Sequence, residues 1–155
     1  MAGVVFHVLN RAARCLRVFD TPGDFDAFIN VLDEAQIRTD LPLLAYCVMP
    51  NHLHCVIDTG RFHGQESYAQ KALSTVKRRT AHGANAILKR AGVFWEHDHL
   101  EYPVHTTDCF SRILWDVLAD PVRADLCSAW HEWPWSYCRP GLVVSSGIVA
   151  TDGYA

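Results

Sequence analysis

The spacing of apolar and polar positions changes several times along the chain, and each change marks an element. Val4–Asn10 is apolar and rich in β-formers, which predicts an opening strand running into a basic turn with Arg11, Arg14 and Arg17. In "DTPGDFDAFINVLDEAQIRTD", Phe25, Phe28, Ile29, Leu32 and Ala35 recur at helical spacing and define one buried face. Asp20 or Thr21 can cap that helix, Pro22 suits its first turn, and Asp24 and Asp26 complement its dipole. Leu43–Val48 and His52–Asp58 are short apolar runs around Met49-Pro50-Asn51, the pattern of two strands joined by a tight turn. Gln65–Arg90 reads as a second long helix, broken near Gly83. Phe94-Trp95 and Leu100–Val104 form a fourth strand region. A third helix starts at Thr107 or Asp108 and stops before Pro121. The aromatic, proline-punctuated "HEWPWSYCRPG" is expected to pack over the core.

The order β-α-β-β-α-β-α, with strands adjacent in sequence, predicts an α+β sandwich with a mainly antiparallel sheet. One domain over residues 1–140 is expected, followed by a small apolar tail, 141–155. At 155 residues, half of them hydrophobic and 20% charged, the chain can bury its own core and falls outside the disordered class. No apolar run approaches the roughly 18 residues of a membrane span, and an Asn-Arg pair interrupts the only apolar stretch near the start. A secretory signal is therefore not expected, and the chain reads as cytoplasmic. The six cysteines form no C-x-x-C pair, so they read as buried small residues or free thiols.

The net charge of -3 argues against strong non-specific nucleic-acid binding, but the charges are unevenly distributed. Between Gln65 and Gly92, Lys71, Lys77, Arg78, Arg79, Lys89 and Arg90 stand against Glu66 alone. From Trp95 to Trp133, eight acidic residues face only Arg112 and Arg123. The basic stretch can track a phosphate backbone or form a solvated face.

The chemistry concentrates in "VMPNHLHCVID". Residues two apart in a strand share a face, so His52 and His54 project together while Leu53 turns away. Two such imidazoles can chelate a divalent metal, and they equally suit surface or hydrogen-bonded core histidines. His97 and His99 repeat the spacing, either as further ligands or as surface residues.

The stretch "LLAYCVMPNHLHCVID" resembles the second and third strands of the single-tyrosine HUH transposases, in their REP-associated tyrosine transposase branch. "VFHVLNRAARCLRVFDTPGDFDAFINVLDEA" is similar to that family's opening strand, Asn-Arg turn and first helix. "VFWEHDHLEYPV" resembles its Trp-containing fourth strand region. "DPVRADL" with "WPWSYCRP" resembles its ending, so the resemblance runs over roughly residues 4 to 140.

The resemblance implies that His52 and His54 hold Mg²⁺ or Mn²⁺, which polarises a phosphate of single-stranded or hairpin DNA for attack by a helix tyrosine. It puts the third metal ligand at Asp120 and the nucleophile position at Asp116, where no tyrosine stands. A carboxylate attacking a phosphodiester forms a mixed anhydride, which water destroys more readily than an aryl phosphate ester. Tyrosine-based nicking and strand transfer are therefore expected to be impaired or lost. The remaining tyrosines are Tyr46, Tyr68, Tyr102, Tyr137 and Tyr154, and no motif places Tyr102 at the site. Asp116 and Asp120, at i and i+4, either face the histidine pair together or form a solvated helix end. Asp98 stands where the family tends to be basic, which weakens the expected grip on DNA.

Three functions follow from this reading. The first is a transposase-like DNA-binding protein that contacts phosphates through Arg11, Arg14, Lys77, Arg78 and Arg79. The second is a metal-dependent hydrolytic nuclease using Asp116, Asp120 and the histidines. The third is a structural or partner-binding remnant. A monomer or homodimer fits each of them.

Overall fold

The first helix is capped as its sequence requires. In the computed structural model, which describes residues 5–97 and 100–142, helix α1 (Pro22–Thr39) begins at Thr21. The Thr21 hydroxyl accepts from the Asp24 amide at 3.2 Å, and the Asp24 carboxylate accepts from the amides of Asp20 and Thr21 at 3.0 and 3.2 Å. Those amide hydrogen bonds hold the Asp24 carboxyl below its ordinary value of 3.8. Its contribution to stability is thus present above that value and is lost as pH falls through the folded one. Thr21→Ala is expected to cost about 1 kcal/mol in urea denaturation, and the penalty of Asp24→Ala should vanish in strong acid.

Strands β1 (Val5–Arg11), β2 (Leu43–Met49), β3 (His52–Asp58), β4 (Leu100–Val104) and β5 (Ser136–Cys138) form one sheet in the order β4-β1-β3-β2-β5. Every pairing is antiparallel. The expected α+β order is therefore present, with one strand more than the sequence pattern indicates. That strand lies in the aromatic segment. Five residues lie between Pro134 and Pro140, which cannot donate to a ladder, and the central three pair with β2 at the sheet edge. Trp133 and Trp135 do pack over the core: Trp135 stacks on Phe25 at 4.2 Å, and the Trp133 indole donates to the Val48 carbonyl at 3.0 Å.

Side-chain alternation gives the sheet two covered faces. Phe6, Val8, Leu53, Cys55 and Ile57 meet α1 and helix α2 (Glu66–Leu88). Val5, Ala45, Cys47 and Val56 meet helix α3 (Thr107–Leu118) through Phe110, Leu114 and Val117. The basic helix α2 and helix α3, which carries Asp108 and Asp116, therefore cover opposite faces of one sheet.

Three further expectations change. Helix α2 runs unbroken through Gly83, because that glycine is a packing device and not a break. A Cβ there would lie 2.6 Å from Val31 Cγ1, so its absence lets α1 and α2 approach. Gly83→Ala gains about 1 kcal/mol of helix propensity but overpacks at a cost of roughly 1–3 kcal/mol. A net loss near ~1 kcal/mol is expected by thermal melting, recovered when Val31→Ala is added. Next, the expected Asn-Arg turn is the end of β1: Asn10 is buried on the α1/α2 side, and Arg11 is exposed on the other. Finally, Trp95 makes a single bridge to Ala12 and is not continuous with β4. Its indole donates instead to the buried Thr80 hydroxyl at 3.0 Å.

Cys47, Cys55 and Cys138 are buried, Cys15 and Cys109 are exposed, and all six thiols are free. Asp98, His99, Tyr154 and the tail beyond Leu142 lie outside the described residues. No helix among the described residues is long and apolar enough to cross a membrane.

Candidate functional site

The two-residue turn Pro50-Asn51 starts β3 at His52, so His52, His54 and Val56 face α3. Cross-strand register places Arg11 opposite His52, Leu9 opposite His54 and His7 opposite Val56, all on the same face. After α3 the chain turns at Ala119 into the short helix α4 (Asp120–Arg123), with Pro121 in its first turn. This junction delivers the Asp120 carboxylate onto the histidines.

Asp120 Oδ2 accepts from His52 Nε2 at 2.7 Å and from His54 Nδ1 at 3.1 Å. The other ring nitrogen of His52 lies 2.8 Å from Asn51 Oδ1, and that of His54 meets His7 Nε2. The result is a continuous hydrogen-bonded chain: His7, His54, Asp120, His52, Asn51. Burial alone would raise the Asp120 carboxyl, but hydrogen bonds and charge from the two histidines outweigh it and hold the group well below the usual range. Burial pushes His7 down to about 4 and nearby His54 adds to the effect, against the opposing carboxylates of Asp116 and Asp120. His7 is accordingly a neutral imidazole at neutral pH.

Asp116 makes no hydrogen bond to the histidines as Asp120 does, although its charge acts on His7. The Arg123 guanidinium lies between the two carboxylates, 3.8 Å from Asp116 Oδ1 and 3.5 Å from Asp120 Oδ1, and also donates to the Asp116 carbonyl. The expected continuous helix face is interrupted, because α3 ends at Leu118 and Asp120 opens α4. Asp116 is more than half exposed, whereas Asp120 is one-fifth exposed.

Two imidazoles and a carboxylate are suitable donors for a divalent transition cation. As they stand, no group of three or more His, Cys, Asp or Glu among the described residues is disposed to hold one. The reason is visible in the bonding, since one Asp120 oxygen serves both rings and their inward nitrogens are committed to protons. A cation would have to displace those protons.

Two adjoining hollows share His52 and Asp120. One, of about 250 Å³, extends toward Leu9 and Arg11. The other is an open cleft of about 490 Å³ that extends past Asn51 to Arg17 and Arg123. Arginines thus stand on both sides of the partly buried cluster. Arg14 lines neither hollow; it is exposed in a short 3₁₀ turn (Ala13–Cys15) with left-handed backbone, φ 60°, next to Cys15 of the open cleft. Lys77, Arg78 and Arg79 are not brought to the site, because α2 covers the opposite sheet face. There the Lys77 ammonium donates to the carbonyls of Glu96 and His97, and Arg78 and Arg79 border a groove between α1 and α2. His97 is exposed and stands apart from the histidine cluster.

Sequence reasoning missed His7 and Arg123. His7 alternates with Leu9 and Arg11, and would have been found by pairing β1 with β3 in register. Arg123 lies inside the recognised "DPVRADL", one turn after Asp120.

No family model matches the chain, and no curated protein sequence does so at a significant level. Among solved structures, a REP-associated tyrosine transposase bound to a REP hairpin is similar, with a TM-score of 0.67 at 14% identity over 88% of this chain and 77% of that one. A candidate transposase from Deinococcus radiodurans is also similar, with a TM-score of 0.50 at 15% identity over 79% of this chain and 85% of that one. At such identities the likeness is one of fold, and this chain has the fold of those transposases.

Proposed function

We propose that this chain, built on the fold of a REP-associated tyrosine transposase, is a transposase-like protein that binds single-stranded or hairpin DNA in the cleft over His52, His54 and Asp120. One observation carries the reading: a partly buried imidazole–carboxylate cluster lines two adjoining hollows, one reaching Arg11 and the other Arg17 and Arg123. Guanidinium groups hold phosphates in place without reading sequence. The bound hairpin of the similar transposase supports the same class of ligand.

Mg²⁺ or Mn²⁺ would be held by His52, His54 and Asp120, where it would act as a Lewis acid on a phosphate oxygen. Arg123 keeps the two helix-end carboxylates from repelling each other and leaves Asp116 outside the cluster. Phosphotyrosine chemistry from α3 is absent in this reading, since Asp116 occupies the nucleophile position. A hydrolytic nuclease would have to rely on Asp120 and the histidines without Asp116. Arg14, exposed in the turn beside Cys15, would add a phosphate contact outside the cleft, while Lys77, Arg78 and Arg79 can reach only DNA that passes around to the α2 face.

Fluorescence anisotropy of a labelled single-stranded hairpin, titrated with protein over a salt series, tests the proposal. Engagement of about four phosphates predicts an affinity loss of roughly 50-fold between 50 and 200 mM salt. Absence of binding at the lowest salt would overturn it.

A further inference from the structure

A phosphodiester lying over the histidine cluster can be attacked covalently only by a nucleophile on the same sheet face, and the strand register decides which side chains qualify. Tyr46 and Tyr137 stack on each other, ring centroids 5.5 Å apart, on the α1/α2 side of the sheet. Tyr68 lies on α2, in the layer covering that same side. Cys47 is on the histidine face, but it is fully buried, and burial pushes its thiol up to about 12. Tyr102 differs from all of these. It pairs directly opposite His7 across β1 and β4, which puts its side chain on the histidine face. Its ring centroid lies 6.4 Å from His7, whose own ring is 4.6 Å from His54. With β4 at the edge of the sheet, Tyr102 is 53% exposed, so the phenol is open to a polymer running along that edge.

We propose that Tyr102 is a nucleophile for DNA strand nicking, approaching the site from the sheet edge instead of from α3. This rests on the DNA-binding reading above. In the step, the phenolic oxygen of Tyr102 bonds to phosphorus and the P–O3′ bond breaks, its electron pair leaving on the 3′ oxygen. The phenolic proton passes to water and the 3′ oxygen takes one from water, so no water is consumed. The products are a 5′-phosphotyrosine on Tyr102 and a free 3′-hydroxyl. The aryl phosphate ester keeps the energy of the broken bond, which an acyl phosphate on Asp116 would lose to hydrolysis.

The experiment is incubation of the full chain with labelled single-stranded hairpins of randomised loop sequence and Mn²⁺. It is read on a denaturing gel for covalent adduct, by peptide mass spectrometry for the attachment site, and on a native gel for binding. A slow-migrating adduct mapping to the peptide with Tyr102 is expected, reduced at least about 100-fold in Tyr102→Phe at unchanged melting temperature. Three results overturn the inference while leaving the DNA-binding reading intact: an adduct that persists in Tyr102→Phe, cleavage without adduct, or bound hairpin with neither. Absence of binding on the native gel overturns both.

Discussion

Replacing Asp120 with alanine is expected to lower stability by about 2–3 kcal/mol and to abolish any binding of a divalent cation. The carboxylate is one-fifth exposed and is the shared acceptor for His52 and His54, the latter nearly buried. Without it, the His52 Nε2–H and His54 Nδ1–H groups lose their shared acceptor, and the Arg123 guanidinium retains only Asp116. Breaking a buried pair by removing one partner costs roughly 3–5 kcal/mol, and the remaining solvent access reduces that here. A melting temperature lower by about 5–10 °C follows. Asp120→Asn keeps an acceptor oxygen at the same reach and should lose about half as much. A loss below ~0.5 kcal/mol for alanine would mean that the cluster does not support the fold.

The second large effect separates the two faces of the sheet. Replacing Arg11 and Arg123 together with alanine should weaken hairpin binding about 30-fold and reduce the salt slope by about two, one for each phosphate left without its guanidinium. Replacing Arg78 and Arg79 should change affinity no more than about threefold, because α2 lies on the other side of the sheet. The contrast is informative because charge along the sequence points the other way: the basic residues cluster on α2, while Asp116 and Asp120 lie at the cleft. If the α2 variant proves the weaker binder, the DNA belongs on the α1/α2 face.

Much of this architecture is legible in the sequence because local chemistry agrees with the final packing. The helix after Thr21 has its cap, its proline and its apolar stripe, and it forms over those residues. Pro50-Asn51 between two apolar runs gives a hairpin whose alternation alone puts His52 and His54 on one face. The failures have a common cause, which is that they depend on partners distant in sequence. Gly83 looks like a helix break until Val31 is seen beneath it. Ser136–Cys138 is too short and too close to prolines to signal a strand, and it exists because β2 offers an edge. Asp116 and Asp120 have the spacing of a shared helix face, but the turn at Ala119 separates their roles. His7 and Tyr102 join the site through strand register, which one-dimensional spacing does not carry.

The central claim, that DNA lies in the cleft over the histidine cluster, is tested most directly by hydrogen–deuterium exchange of the full chain with and without a single-stranded hairpin. The account predicts slowed exchange in peptides covering residues 7–17, 50–54 and 119–126, which surround the cleft, with no change across α2. Protection confined to peptides of α1 and α2, with the cleft peptides unchanged, would contradict it.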